Sequence, residues 1–333
     1  MNAINLRVEA QTSAVHDEVM ALTAVVRPIL QGLLFALKHE VVEQAGGIEN
    51  LPLFMLPRAY RAGSGDCGIC FEYAVHDAIN RKDPLVVERV HDSLSRFCNV
   101  PGYDTSSILF GAEKTGALKI IGDPRQLLTE NSRLLTGIRA QPPKLIDHIS
   151  ALTTAFRQQA QRELLPSSIS GLWKADLFLG NRDTDKWVGT TVKINRNQLE
   201  GAPGLRIGIV PAAHGRGDTI TVDSSKNLIV CPLPYDGAFM EIFYCAWRIV
   251  QYFLAADAKM PPYQHLPIGS HRNVAQHLYE RRNFPVLQVI DSLIPIAQPG
   301  LIETQQRVEN TSTAMGPVED EVNTLIAPQP LNV

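Results

Sequence analysis

Trp173-Lys174-Ala175-Asp176-Leu177-Phe178-Leu179-Gly180 and Val188-Gly189-Thr190-Thr191-Val192-Lys193-Ile194-Asn195 decide the fold class. Both are short runs of apolar, aromatic and β-branched residues, the composition of strands. The first carries one acid, Asp176, among apolar neighbours; the second carries a lysine near its end. In a strand, residues i and i+2 share a face, so Thr191 and Lys193 point the same way. Asp176 on a neighbouring strand can bring its carboxylate to the same spot. Downstream, Leu205 to Val210 and Leu228 to Pro232 are further strand runs, separated by Gly, Asn and Asp. An apolar helix over about Ala238 to Ala256 follows, then a last helical stretch over about His271 to Leu293.

Upstream the pattern is helical. Val19, Leu22, Val26, Ile29, Leu33 and Leu37 recur at helical spacing within a helix expected from about Ala14 to Gln44. Pro28 is expected to kink or split it, and Gly46-Gly47 to end it. Gly68 to Asn80 reads as a second helix with a single acid, Glu72, next to its apolar side. Leu85 to Phe97 follows the break at Lys82-Asp83-Pro84. Ser107 to Phe110 and Leu118 to Ile121 are short strand candidates. Pro124 to Gly137 and Pro143 to Leu165 read as helices. The expectation is therefore a mixed α/β protein with helices flanking a sheet.

Bulk properties exclude several classes. The 333 residues suffice for a large core, with 45% hydrophobic and 20% charged residues. A formal net charge of −3 argues against a protein that coats nucleic acid by charge alone, and leaves room for a local basic groove. Five scattered cysteines, Cys67, Cys70, Cys98, Cys231 and Cys245, suit reduced thiols and a cytoplasmic setting. The N-terminus lacks a signal-type apolar core. Leu22 to Leu37, interrupted by Arg27 and Pro28, reads as too short for a bilayer and as a buried helix pair, so no membrane association is expected.

The opening helix Gly68-x-x-Phe71-Glu72-x-x-Val75, the Asp176 strand and the Lys193 strand, in that order, resemble the PD-(D/E)XK nuclease superfamily. The resemblance implies a restriction-endonuclease-like core within residues 63–297, with a helical insertion at about 82–169. Residues 1–62 would be an N-terminal helical region and 298–333 a weakly ordered tail. It further implies Mg²⁺- or Mn²⁺-dependent hydrolysis of DNA, with RNA as the alternative, of the restriction or anti-phage defence kind. Asp176 and Glu72 would hold the metal, and Lys193 would orient the attacking water. Hard divalent ions take oxygen ligands, which suits such a carboxylate pair. One departure stands out: the family's acid two residues before the lysine is Thr191 here. A catalytically inactive nucleic-acid-binding or scaffold subunit is therefore the alternative, and a homo-oligomer or a partner subunit is open.

Each of these residues also has a plainer reading. Asp176 and Lys193 could form an ordinary ion pair, and Glu72 could be a solvated helix residue. His76 and Asp77 read as packing or surface groups. Cys67-x-x-Cys70 lacks a second pair, so it is weak as a zinc or redox motif. Arg196, Arg216 and Lys226 could line a nucleic-acid groove, and His214 sits in a polar loop with Arg216. Gly63-x-Gly65 lacks the Gly-Lys-Ser/Thr of a phosphate loop.

Overall fold

The structure is a computed structural model that describes residues 2–63, 66–112, 118–121, 127–137, 142–157, 159–167, 169–214, 218–235 and 237–293. One mixed sheet organises it. Its eight strands are β1 (Thr105–Ala112), β2 (Leu118–Ile121), β3 (Arg133–Leu134), β4 (Leu177–Asn181), β5 (Lys186–Val192), β6 (Leu205–Pro211), β7 (Thr221–Asp223) and β8 (Leu228–Leu233). They run in the order β2-β1-β4-β5-β6-β8-β7, with β3 pairing in parallel to the start of β5. β1, β2, β4 and β5 are successively antiparallel, whereas β5, β6 and β8 are parallel. β7 closes the far edge antiparallel to β8.

Alternation along the strands builds two cores. Leu109, Leu177, Leu179, Val188 and Val192 join one cluster, and Ile108, Phe110, Phe178 and Trp187 join the other. The first, larger core lies under α1 (Asn2–Leu33), α4 (Asp66–Asn80), α5 (Pro84–Cys98) and α8 (Gly237–Ala255). Two short helices, α2 (His39–Gln44) and α3 (Leu56–Ala59), precede α4. The second core is closed by α6 (Leu145–Arg157), through Leu145 and Ile149, and by the 3₁₀ turn Leu172–Lys174. The four-residue α7 (Gln159–Arg162), then α9 (Gly269–Glu280) and α10 (Val286–Ser292), complete the set. The sheet thus lies between helices on both faces.

α1 shows why its stripe outweighs its proline. Leu22, Val25, Val26, Ile29, Leu30 and Leu33 are all buried on both sides of Pro28. Packing of this stripe holds one continuous helix through a residue that would weaken an isolated one. The expected split at Pro28 is therefore corrected, as is the expected start near Ala14. The stretch Glu18–Ala36 is long and apolar enough by composition to cross a membrane, contrary to the expectation from length. Most of it is nonetheless buried inside the protein, against α4, α8 and α9. Gly32 marks the closest approach to α4, because a Cβ there would lie 2.7 Å from Cys70 Sγ.

Other boundaries also moved. α4, α5, α8, β2, β5, β6 and β8 fall within a residue or two of expectation. Of the helix expected over Pro124 to Gly137, residues 124–126 lie outside the described set and Leu127 is helical, but the second half is not: Arg133–Leu134 pairs with Lys186 and Trp187 as β3. The helix expected over Pro143 to Leu165 is described as Leu145–Arg157 and Gln159–Arg162, residue 158 lying outside the described set, and gives way to a turn before Leu165. Pro285 divides the last helical stretch, standing at the N-cap of α10. β7 had no counterpart in the expectation, being three largely exposed residues at a sheet edge. The tail expected from residue 298 lies outside the described residues.

Candidate active site

Register places the first two groups. Leu177 pairs with Thr190, so Asp176, one residue ahead of β4, stands beside Thr191. The Asp176 amide donates to Thr190 O at 2.8 Å, and its carbonyl accepts from Phe110 N at 2.9 Å. The backbone carrying the acid is thus tied to both neighbouring strands. Its carboxylate is fixed too. Asp176 Oδ2 accepts from Thr191 Oγ1 at 2.9 Å, from the Val192 amide at 2.7 Å and from Lys193 Nζ at 2.9 Å.

Lys193 continues the line of β5, its amide donating to Ile209 O of the parallel neighbour β6 at 2.9 Å. Glu72 arrives from α4, which packs on both α1 and β1. Lys193 Nζ lies 3.7 Å from Glu72 Oε1 as well as 2.9 Å from Asp176 Oδ2. Residues 72, 176 and 193, remote in sequence, therefore meet at the carboxyl end of β5. The Glu72 and Asp176 side chains are only 17% and 16% exposed, which excludes a solvated role for Glu72.

Charge in this setting is shared unevenly. Burial, then the neighbouring Asp176 charge and a hydrogen bond with Asp176, push the Glu72 carboxyl well above its ordinary range, against the pull of Lys193. Burial alone would depress Lys193, but Asp176 and Glu72 outweigh it and hold its pKa above the ordinary lysine value. Lys193 is therefore a fixed cation and donor, not a neutral base. With one ammonium facing two close carboxylates, full ionisation of both needs further positive charge.

That deficit is the test of fit for a divalent ion. Two buried, oxygen-only donors with one unmatched negative charge suit a hard cation such as Mg²⁺ or Mn²⁺. Asp176 and Glu72 would hold it. Among the described residues, no group of three or more His, Cys, Asp and Glu side chains forms a metal cluster, so the remaining ligands would be water and substrate oxygens.

The site opens into a cleft of about 410 Å³ lined by Lys174, Asp176, Thr191, Lys193, Gln198 and Glu200. Lys174, Gln198 and Glu200 were not anticipated. Lys174 closes the 3₁₀ turn Leu172–Lys174, which the strand-type reading of this stretch did not anticipate. Glu200 had no signal, because the loop after Asn195 brings it back. It pairs with Lys174 at 2.9 Å.

The expected nucleic-acid residues are not gathered here. Arg196 is near in sequence, but its Nη2 donates to Thr221 Oγ1 at 3.2 Å. Lys226 lines a separate cleft of about 470 Å³ with Gly201 and Asn227, its Nζ 3.8 Å from Asp223. Arg216 lies outside the described residues. The His214 amide donates to the Asp218 carboxylate in a local turn.

His76 and Asp77 are structural. Asp77 ion-pairs with Arg27 of α1 and, at 3.6 Å, with Arg81. His76 Nδ1 meets Ser107 Oγ at 3.0 Å, and burial followed by the charge of Arg27 depresses its pKa to about 4. Cys70 is consumed by packing, its Sγ 3.4 Å from Ile29 O, and all five cysteines are free thiols. Comparison with protein-family models, curated proteins and solved structures returned no match.

Proposed function

We propose that this protein is a metal-dependent endonuclease hydrolysing DNA phosphodiester bonds through a variant PD-(D/E)XK site on a restriction-endonuclease-like core. The observation that carries the reading is the position of Lys193 Nζ within ion-pair distance of both Glu72 and Asp176. A bound divalent ion supplies charge stabilisation at the phosphate and a more acidic water. The chain's own groups do the rest. Asp176, its Oδ2 held by Thr191, Val192 and Lys193, keeps the acidic pair in register. Lys193, permanently charged, orients the attacking water and faces the charge that develops on the phosphate. Glu72 takes the place of the acid that Thr191 lacks, reaching the same point from a helix. A role in restriction or anti-phage defence rests on the family resemblance alone.

Plasmid cleavage with Mg²⁺ or Mn²⁺ tests the reading. Asp176→Ala and Lys193→Ala should each lower the rate on the order of a hundredfold or more, while the circular dichroism spectrum stays that of the wild type. Unchanged cleavage in both variants refutes the site. One observation favours a second reading, an inactive nucleic-acid-binding subunit: Thr191 spends its hydroxyl on Asp176 and offers no charge of its own. DNA binding without cleavage under either metal would select it.

A further inference from the structure

Trp173 is 44% exposed, whereas Trp187 is fully buried. An exposed indole offers a π face on which a nucleic-acid base can stack. The 3₁₀ turn Leu172–Lys174 supplies the geometry, because successive residues there point about 120° apart. Leu172 is buried in the second core and Lys174 lines the cleft, while the indole between them in sequence stays partly exposed. Lys174 Nζ lies 5.5 Å from the indole centroid and 2.9 Å from Glu200 Oε2. A partly exposed indole, the cation over its ring and that cation's carboxylate partner thus adjoin the cleft that Asp176 lines.

We propose that Trp173 and Lys174 form a nucleotide subsite, in which the indole stacks on an unpaired base and the Lys174 ammonium exchanges Glu200 for the adjoining phosphate. This rests on the nuclease reading and narrows its substrate to single-stranded DNA, or to duplex DNA with a flap or overhang. The faces of a base inside a duplex are covered by its neighbours, so a side chain can stack only on one that is unpaired. Glu200 alone would repel a phosphodiester; paired with Lys174, it holds the ammonium in place until substrate arrives.

The test uses the full-length protein in EDTA, where no cleavage occurs, with a fluorescein-labelled single-stranded oligodeoxynucleotide and a blunt duplex of the same sequence. Anisotropy gives affinity, and quenching of tryptophan emission reports stacking. Trp173→Ala should weaken single-strand binding roughly tenfold and abolish most of the quenching, and Trp173→Phe should recover part of the affinity. Glu200→Gln should tighten binding several-fold, a gain that mere loss of structure would not produce. Single-strand affinity unchanged in Trp173→Ala, or a blunt duplex bound as tightly as the single strand, overturns the subsite. If the wild type cleaves plasmid or the single-stranded oligodeoxynucleotide with Mg²⁺ while that holds, only the subsite falls. If it neither binds nor cleaves, the nuclease reading falls with it. Trp173-dependent binding without cleavage keeps the subsite and removes only the hydrolytic role.

Discussion

Glu72 concentrates the conflict between folding and chemistry. Its carboxyl is buried beside another acid, so the folded state prefers it protonated, with a pKa well above the ordinary carboxyl range. The sign follows from linkage. Below the unfolded carboxyl pKa both states are protonated and burial of the group carries no ionic cost. As pH rises through the unfolded value toward the raised folded one, the unfolded state ionises first and stability is lost. Glu72→Gln should therefore stabilise the metal-free protein by about 1 kcal/mol at pH 8 and have little effect near pH 4, measured by urea unfolding at both pH values. The same variant should lose Mg²⁺ binding in calorimetry, whereas the wild type should bind more tightly as pH rises and release a proton on binding. Equal stability of both proteins at pH 8 would mean that Glu72 carries no such penalty. Asp176, Lys193 and Thr191 were legible because residue order and the two-residue period of a strand are local properties. Whether Glu72 reaches them is not local, since helix and sheet meet only in the folded chain. Glu200 was invisible for the same reason.

At the level of elements, α4 carries Glu72 and is held by α1 on one side and β1 on the other. The polar part of the first contact is Arg27 with Asp77, whose side chains are 10% and 12% exposed. Removing one partner strands the other charge at low exposure, which typically costs 3–5 kcal/mol, so Asp77→Ala should destabilise by about 3 kcal/mol, Arg81 leaving Arg27 unaided. Replacing both, as Arg27→Met with Asp77→Leu, should recover much of that loss, and thermal melts of the single and double variants decide it. A double variant no more stable than Asp77→Ala would show that the pair contributes specific geometry that apolar packing cannot replace. The helices α4, α5 and α8 were readable because apolar periodicity and their end signals agree; Asp83, for instance, caps α5 by accepting from the Leu85 and Val86 amides. Elements were misread where local and tertiary preferences disagree. Pro28 argues locally for a break that the surrounding core overrides, and Arg133–Leu134 has helix-compatible residues that the start of β5, ahead of its pairing with β6, recruits as a strand.

At the scale of the whole molecule, α1 is part of the main core and not an appendage to it. Ile29 and Leu30 share one hydrophobic cluster with Phe71 of α4, Ile207 of β6, Phe243 of α8 and Val274 of α9. The resemblance implied an N-terminal helical region over residues 1–62 lying ahead of the restriction-endonuclease-like core. What the pattern could not convey is that the stripe of α1 packs on partners far along the chain, such as Cys70, whose Sγ meets Ile29 O across 41 residues. Burial of that stripe removes at least six large aliphatic side chains from water, at roughly 1.5–3 kcal/mol each as an upper estimate, a sum comparable to the whole net stability of an ordinary domain. The chain beginning at residue 63 should therefore fail to fold, appearing in the insoluble fraction or giving no cooperative melt. The full chain should unfold in one transition, with the fluorescence of buried Trp187, in the second core, and the helical ellipticity of the first core lost at the same temperature. Two separated transitions, or a soluble and cooperative 63–333 fragment, would show that the site-bearing sheet stands without α1.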